Sequence, residues 1–109
     1  MHVKPTIIHN LSEAKEAILQ NPQIDLCSPP AAVEYAGVLW WRCLIELARA
    51  QTDWRGRGFL DCGSNAAWAV EAIHAGVHDL MFDPHSPAWA ELCSLVNAAG
   101  GSLRANIGR

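Results

Sequence analysis

The sequence predicts an α/β domain in which a mostly parallel sheet of five strands is covered by helices on both faces. Three observations lead to this prediction. Five short apolar segments alternate along the chain with longer segments that have the spacing of amphipathic helices. Most of the short segments are apolar throughout rather than alternating, which is typical of parallel strands buried on both faces. Residues 59–83 form one complete unit of strand, helix and strand, with Gly63 and Gly76 at its turns.

The composition predicts one compact domain that spans residues 1–109. A chain of this length buries a substantial core without disulfides or metal. Hydrophobic residues make up 50% of the chain and charged residues only 17%, which is a high apolar fraction for so small a protein. We therefore expect part of the apolar surface to be buried between copies of the chain, with a homodimer as the commonest assembly.

Charge and hydropathy exclude several classes of partner. The formal net charge is −3, whereas proteins that bind the nucleic-acid backbone concentrate Lys and Arg on one face. The most apolar window, residues 36–48, carries Arg42 and Glu46 and is too short to cross a bilayer. The first residues lack the pattern of a signal peptide, and the four cysteines lack metal-binding spacing. The sequence thus predicts a cytoplasmic protein that binds no nucleic acid and no membrane, with neither metal nor cofactor.

Strands and helices alternate along the chain, and a fifth strand closes the series. Each strand is a short apolar run between turn-forming residues, and each helix repeats apolar residues at spacings of three and four. The predicted strands cover residues 6–8, 24–27, 59–62, 79–83 and 103–107, and the predicted helices cover residues 11–20, 29–51, 66–75 and 87–99. Residues 52–58 are expected to be a solvated connection. The last strand alternates weakly, so it is expected at an edge of the sheet.

Capping residues set the expected starts of the helices. Asn and Ser side chains accept hydrogen bonds from free N–H groups in the first turn, and Pro fits that turn because it has no N–H. Glu13 follows the first cap by three residues, as in a capping box. Gly76 supplies the left-handed turn that commonly ends a helix. The expected caps are Asn10, Ser28, either Ser64 or Asn65, and Ser86.

The long second helix, predicted over residues 29–51, has two apolar stripes where a helix of a small domain normally needs one. The stripe assigned to the core consists of Ala32, Ala36, Leu39, Trp40, Cys43, Leu47 and Ala50. The second stripe consists of Val38, Trp41, Ile45 and Ala48. Exposed apolar patches usually mark interfaces, so Val38, Trp41 and Ile45 are the predicted homodimer surface.

Right-handed crossovers make this order of elements a doubly wound, three-layer α/β/α sandwich of flavodoxin-like type. The predicted strand order is 2-1-3-4-5. The alternative is a half-barrel of βα units that pairs with a second copy.

Polar side chains are concentrated where the predicted strands end. In open parallel sheets the ligand crevice lies at the carboxyl ends of the strands, and helix N-termini there favour an anion such as phosphate or carboxylate. The candidate ligand-binding residues at this edge are His9, Asn10, Asp61, Cys62, Gly63, Ser64, Asn65, Asp83, His85 and Ser86, and Cys27 and Ser28 follow the second strand.

Asp61 is the most informative of these residues, because a buried carboxylate is costly unless it is paired or hydrogen-bonded. It either accepts from the backbone N–H groups after the strand and fixes that turn, or acts as a base or ligand. A metal site needs Asp61 and Asp83 to converge with His9 and His85, and a nucleophile pair needs Cys62 beside a histidine. The spacing enforces neither arrangement, so no catalytic residue is assigned.

Two functions fit these observations. The first is a homodimeric interaction or regulatory module built around the long helix, and it is favoured because every polar candidate already has a structural role. The second is a protein that binds a small anionic molecule, or an enzyme that acts on one, at the carboxyl ends of the strands. No motif in the sequence identifies a family, so function has to be argued from the site itself.

Overall fold

The computed structural model describes residues 4–106, which form one five-stranded sheet and five helices. The predicted α/β class and the parallel sheet are confirmed. The strands are β1 (Thr6–Ile7), β2 (Leu26–Cys27), β3 (Gly58–Asp61), β4 (Asp79–Phe82) and β5 (Ser102–Ala105). The helices are α1 (Leu11–Gln20), α2 (Val33–Ala36), α3 (Val38–Gln51), α4 (Ala66–His74) and α5 (Trp89–Ala98). No helix in the described part has the length and apolar character needed to cross a membrane.

The strand order is β1-β2-β3-β4-β5, so the predicted flavodoxin-like order 2-1-3-4-5 is wrong. Each strand pairs with its neighbour in sequence, as in the half-barrel alternative. Cys27 pairs with Phe59, Leu60 pairs with Leu80, and Leu80 also pairs with Leu103. Strand order was not predictable because periodicity identifies a strand but does not say on which side of its predecessor it lies.

This order places all the helices on one face of the sheet. Successive right-handed crossovers that move in the same direction return on the same side each time. One hydrophobic core accordingly contains side chains from every helix together with Leu60, Leu80 and Phe82 of the sheet. The expected three-layer sandwich is therefore two layers within residues 4–106.

The other face of the sheet carries a separate apolar cluster of Cys27, Phe59 and Met81. All three side chains are buried. The Arg104 guanidinium lies 4.4 Å from the centroid of the Phe59 ring and 3.4 Å from the Asp25 carboxylate. A cation over an aromatic face is attracted by the ring quadrupole, so Arg104 covers part of this cluster without a helix above it.

The predicted helix over residues 29–51 is broken at Gly37, which has φ +84° and separates the single turn of α2 from α3. L side chains rarely adopt this conformation, and glycine adopts it at no steric cost. The predicted cap Ser28 does not cap a helix, since α2 starts at Val33 and has no side-chain cap. The Ser28 hydroxyl instead accepts a hydrogen bond from the backbone of Asp61, 2.9 Å away.

The two stripes of α3 are exchanged relative to the prediction. Val38, Trp41, Leu44 and Ala48 are the buried residues of the helix, and Trp41 is 0% exposed. Ile45 is half-buried and packs against the same core. Val38, Trp41 and Ile45 are therefore not an exposed partner surface. The physical reason is the break at Gly37. In a continuous helix Ala32 and Leu39 would lie on the same face, and the break changes which face of α3 follows on from Ala32.

Residues 52–58 are a packed connection rather than the predicted solvated one. Trp54 is buried, and its indole Nε1 donates a hydrogen bond of 2.7 Å to the backbone carbonyl of Ile24. The Arg49 guanidinium lies 4.2 Å from the centroid of the Trp54 ring. A side chain at Gly56 would overlap the same Ile24 carbonyl, so the connection lies directly against the chain before β2.

β5 is an edge strand, as its weak alternation predicted, and it pairs with β4 of its own chain. The predicted strand extended to Ile107, which lies outside the described residues.

Replacing the buried aromatic of α3 tests the exchange of the stripes. We expect Trp41→Ala to lower the free energy of unfolding by about 3–5 kcal/mol, because it removes a fully buried ring and leaves a cavity. Urea titration followed by circular dichroism measures the change. The matched control is Tyr35→Ala, which removes an aromatic side chain that is 72% exposed and should change the free energy by about 0.5 kcal/mol or less. Equal losses in the two variants would contradict the assignment.

Candidate functional site

The carboxyl ends of the strands meet at one edge, as parallel pairing requires, and a buried hydrogen-bond network occupies that edge. Its centre is Asp61, the last residue of β3, which is buried. The Asp61 backbone N–H donates to the Ser28 hydroxyl at 2.9 Å, and Asp61 Oδ1 accepts from the backbone N–H of Gly63 at 2.8 Å. Asp61 thus fixes the turn after its own strand, which is the structural alternative foreseen for it.

Asn106 joins this network from the end of β5. Its Nδ2 donates to the Gly63 carbonyl at 3.0 Å and lies 3.5 Å from Asp61 Oδ1. The side chain is buried, and its Oδ1 has no hydrogen-bond partner among residues 4–106. Asn106 was not among the residues predicted for this edge, because residue 106 fell inside a predicted strand. The sequence did carry one signal, because Asn106 is a polar residue in the last predicted strand. It lies level with the polar residues that end the other predicted strands.

The residues after Gly63 start α4. Asn65 is the cap, and its Oδ1 accepts from the backbone N–H of Trp68 at 3.2 Å. Ser64 is exposed and does not cap the helix. The Gly63 carbonyl also accepts from the backbone N–H of Asp83 at 2.8 Å, which ties this turn to the end of β4. The predicted stop at Gly76 is confirmed, since that residue has φ +92°.

His9 and Asn10 form a local cap at the start of α1. Asn10 Oδ1 accepts from the backbone N–H of Glu13 at 2.8 Å, which confirms the predicted cap. Glu13 Oε1 accepts from the backbone N–H of His9 at 2.8 Å and lies 3.0 Å from His9 Nδ1. These hydrogen bonds from His9 lower the pKa of the Glu13 carboxyl. The side chains of His9 and Glu13 are both exposed, and they contact each other within this cap.

Asp83, His85 and Ser86 form a second local motif after β4. Asp83 Oδ1 accepts from the backbone N–H of His85 at 2.9 Å, and Ser86 Oγ accepts from the backbone N–H of Ala88 at 3.1 Å. α5 begins three residues after Ser86, at Trp89, and has no side-chain cap. His85 is exposed. These side-chain hydrogen bonds of Asp83 and Ser86 are local, each to a backbone N–H two residues further along the chain.

The two thiols at this edge are poor nucleophiles. Burial raises the pKa of Cys62 to about 12 and that of Cys27 to about 11, and the negative charge of Asp61 adds to both shifts. The thiolate is the reactive form, and both groups are therefore protonated at neutral pH. Their sulfur atoms lie 3.8 Å from backbone carbonyl oxygens, Cys62 from that of Leu60 and Cys27 from that of Pro5.

Among the described residues, the cavity found at this edge is small. A cavity of about 90 Å³ lies on the helix-free side beside Cys27, Ser28 and Asp61. Cavities that take drug-sized molecules are roughly 300–1,000 Å³, so this space holds a few waters rather than a nucleotide. Within residues 4–106, no three His, Cys, Asp or Glu side chains are grouped closely enough to hold a metal ion.

A larger cavity of about 240 Å³ lies at the opposite edge, between α3 and the amino ends of β3 and β4. This cavity was not predicted, because the ligand crevice of an open parallel sheet was expected at the carboxyl ends of the strands. Arg42 and Glu46 in its wall pair with each other at 3.3 Å, and Asp79 pairs with Arg57 at 2.9 Å. The charges of the wall are therefore largely satisfied within the chain.

Replacing the Ser28 hydroxyl tests the buried network. Ser28→Ala leaves the backbone N–H of Asp61 without its acceptor, and a buried donor without a partner costs about 1–3 kcal/mol. We expect a loss of that size in the free energy of unfolding, measured by chemical denaturation. Ser94→Ala, on the exposed side of α5, serves as the control and should change the free energy by about 0.5 kcal/mol or less. Equal effects of the two changes would show that the hydroxyl of Ser28 is dispensable.

The raised thiol pKa values predict the chemistry of Cys27 and Cys62. We expect neither residue to be alkylated by iodoacetamide at pH 8 in the folded protein, as measured by peptide mass spectrometry, because both are buried and protonated. The same protein in guanidinium chloride should be labelled at both positions. Rapid labelling of either thiol in the folded state would contradict the prediction.

A folded pKa above the ordinary value of 9 also stabilises the fold below pH 9, and we expect that stabilisation to be lost as the pH rises towards 11.

No protein-family model, no curated protein and no solved structure matches the chain. The function is therefore argued from the surfaces and sites described above.

Proposed function

We propose that this chain is a homodimeric interaction module whose partner surface is the outer stripe of α3, formed by Leu39, Cys43 and Leu47. The observation that carries the proposal is the exposure of two leucines on one helix, 64% for Leu39 and 45% for Leu47, with Cys43 exposed between them. A spacing of four residues places the three side chains on one face. The proposal keeps the expected homodimer and moves its surface away from Val38, Trp41 and Ile45.

The outer stripe is not needed for the core of the chain. The inner side of α3 already packs Trp41 and Leu44 against the sheet and its neighbouring helices. Fully burying a leucine side chain contributes about 1.5–3 kcal/mol relative to leaving it exposed. Leu39 and Leu47 are 64% and 45% exposed, so each has about half of that free energy still to gain. Two copies of the stripe bring together four such leucines, and their burial offsets part of the entropy lost on association.

The helix-free face of the sheet is a weaker candidate for self-association. The half-barrel alternative would pair this face with a second copy. Its apolar residues Cys27, Phe59 and Met81 are already buried within the chain. Pairing there would bury little additional apolar surface, and association is driven by the area newly removed from water.

A small anionic ligand at the carboxyl edge is also less well supported. Asn10 and Asn65 are engaged as helix caps, and Asp61 accepts the bond that fixes its turn. Both thiols there are protonated at neutral pH. These three polar side chains therefore already have structural roles, and an interaction surface is the function that the geometry favours.

Charge reversal on the outer stripe tests the proposal. We expect the wild-type chain to have the mass of a dimer in native mass spectrometry and in light scattering. Leu39→Glu combined with Leu47→Glu should give a folded monomer, because dimerisation would then bury four unpaired carboxylates. The double substitution should leave the core intact, since both side chains face solvent.

The control is Leu19→Glu on α1, which also introduces a carboxylate at an exposed leucine but lies outside the stripe. This variant should remain a dimer. A monomeric wild-type protein, or a double variant that keeps the dimer mass, would overturn the proposal.

A further inference from the structure

We infer that the groove between α1 and the end of α3 binds a small organic cation, in which an ammonium group is attached to an apolar body. The groove has a volume of about 630 Å³, and cavities that take drug-sized molecules are roughly 300–1,000 Å³. It is larger than the two cavities described above. The inference does not depend on the proposed homodimer, because the groove is formed within a single chain.

The groove has an apolar floor. Ile18 of α1 is buried in the core, and Leu19 and Pro22 line the groove beside it. Leu19 is 84% exposed, so most of its apolar surface is still in contact with water. A ligand with an apolar body gains free energy by covering that surface, because association removes it from water.

Hydrogen bonds fix the walls of the groove. Lys15 Nζ donates to Gln51 Oε1 at 3.0 Å, which joins α1 to the last residue of α3. Thr52 Oγ1 donates to the Ala48 carbonyl at 2.6 Å and accepts from the backbone N–H of Trp54 at 3.2 Å. The walls are therefore formed before a ligand arrives, and binding does not require the ordering of a flexible segment, which would lower the affinity.

Two carboxylates give the groove its charge. Glu16 of α1 and Asp53, which follows α3, both line the groove and are exposed. Neither side chain has a hydrogen bond or an ion pair within residues 4–106. The ammonium of Lys15 also lies in the wall, and it is already bonded to Gln51. The wall thus carries two negative charges against one positive charge, and the exposed Arg55 nearby is not part of it.

The ends of two helices add charge of the same sign. α1 ends at Gln20 and α3 ends at Gln51, both beside the groove. A helix C-terminus carries a partial negative charge that favours a cation. α1 has no basic residue in its last turn, and Arg49 in the last turn of α3 donates to the Gly56 carbonyl. Among ligands with an apolar body, the groove therefore favours one that ends in an ammonium over one that ends in a carboxylate.

Three probes of similar shape test the charge preference. Phenylpropylammonium, phenylpropanol and phenylpropanoate share one apolar body and differ in the charge at its end. Each is titrated into isotope-labelled protein, and the amide shifts measured by nuclear magnetic resonance give the site and the dissociation constant. We expect the ammonium to shift the residues that line the groove. It should bind about tenfold more tightly than the carboxylate, because exposed ion pairs are individually weak and two of them act together here.

Substitutions in the wall separate the role of charge from that of the apolar floor. Glu16→Gln with Asp53→Asn keeps the shape of the wall and should weaken binding of the ammonium about tenfold, with binding of the alcohol unchanged. The matched control is Glu71→Gln with Glu91→Gln, which removes two exposed carboxylates outside the groove and should change neither affinity. Leu19→Ser should weaken all three probes, since each of them covers this side chain, and its exposure keeps the fold intact.

The outcomes decide the inference directly. Saturable shifts at the groove, tighter binding of the ammonium and loss of that preference in the double variant support it. The inference is overturned if the ammonium gives no saturable shift at the groove, or if the carboxylate binds as tightly. It is also overturned if the double variant keeps the preference or if the control variant loses it. None of these results bears on the homodimer, which native mass measures separately.

Discussion

Every connection between consecutive strands moves one step in the same direction across the sheet, and the rest of the structure depends on this constraint. Because crossovers between parallel strands are right-handed, steps in one direction place the helices in one layer. That layer supplies a single core to which every helix contributes. It also leaves the other face of the sheet without a helix among residues 4–106. The outer side of α3 is not covered by another layer among the described residues, so its apolar stripe stays exposed.

Side chains of the sheet itself cover part of its helix-free face. Arg104 reaches over the Phe59 ring and ends at Asp25. The ion pair is partly exposed, and such pairs contribute about 1 kcal/mol or less, so its charge is a minor source of stability. The larger effect is the cover that the aliphatic stem and the flat guanidinium give to an aromatic ring.

Local features of this fold were predictable from the sequence, and its long-range features were not. The caps at Asn10 and Asn65 and the stop at Gly76 follow from side-chain and backbone preferences within a few residues. The strand order depends on which neighbours pack together, and no periodicity encodes it. The phase of α3 depends on one break at Gly37, and a helix with two apolar stripes gives no internal sign of which one is buried. Asp61 was singled out from the sequence as a residue with a structural or a chemical role. Its partner Asn106 was not predicted, because it follows β5, the strand farthest from Asp61 along the chain.

The bond from Asn106 has a consequence for how the edge of the sheet opens. Among residues 4–106, β5 pairs only with β4, and an edge strand held by one neighbour normally frays in local fluctuations. Asn106 adds a bond to the turn after β3, at the Gly63 carbonyl. That turn keeps its bonds to Asp61 and to the backbone of Asp83 when the last strand detaches. Detachment therefore breaks one side-chain hydrogen bond to the centre of the sheet in addition to the ladder with β4, and a bond of this kind adds about 0.5–1.5 kcal/mol to the free energy of opening this edge.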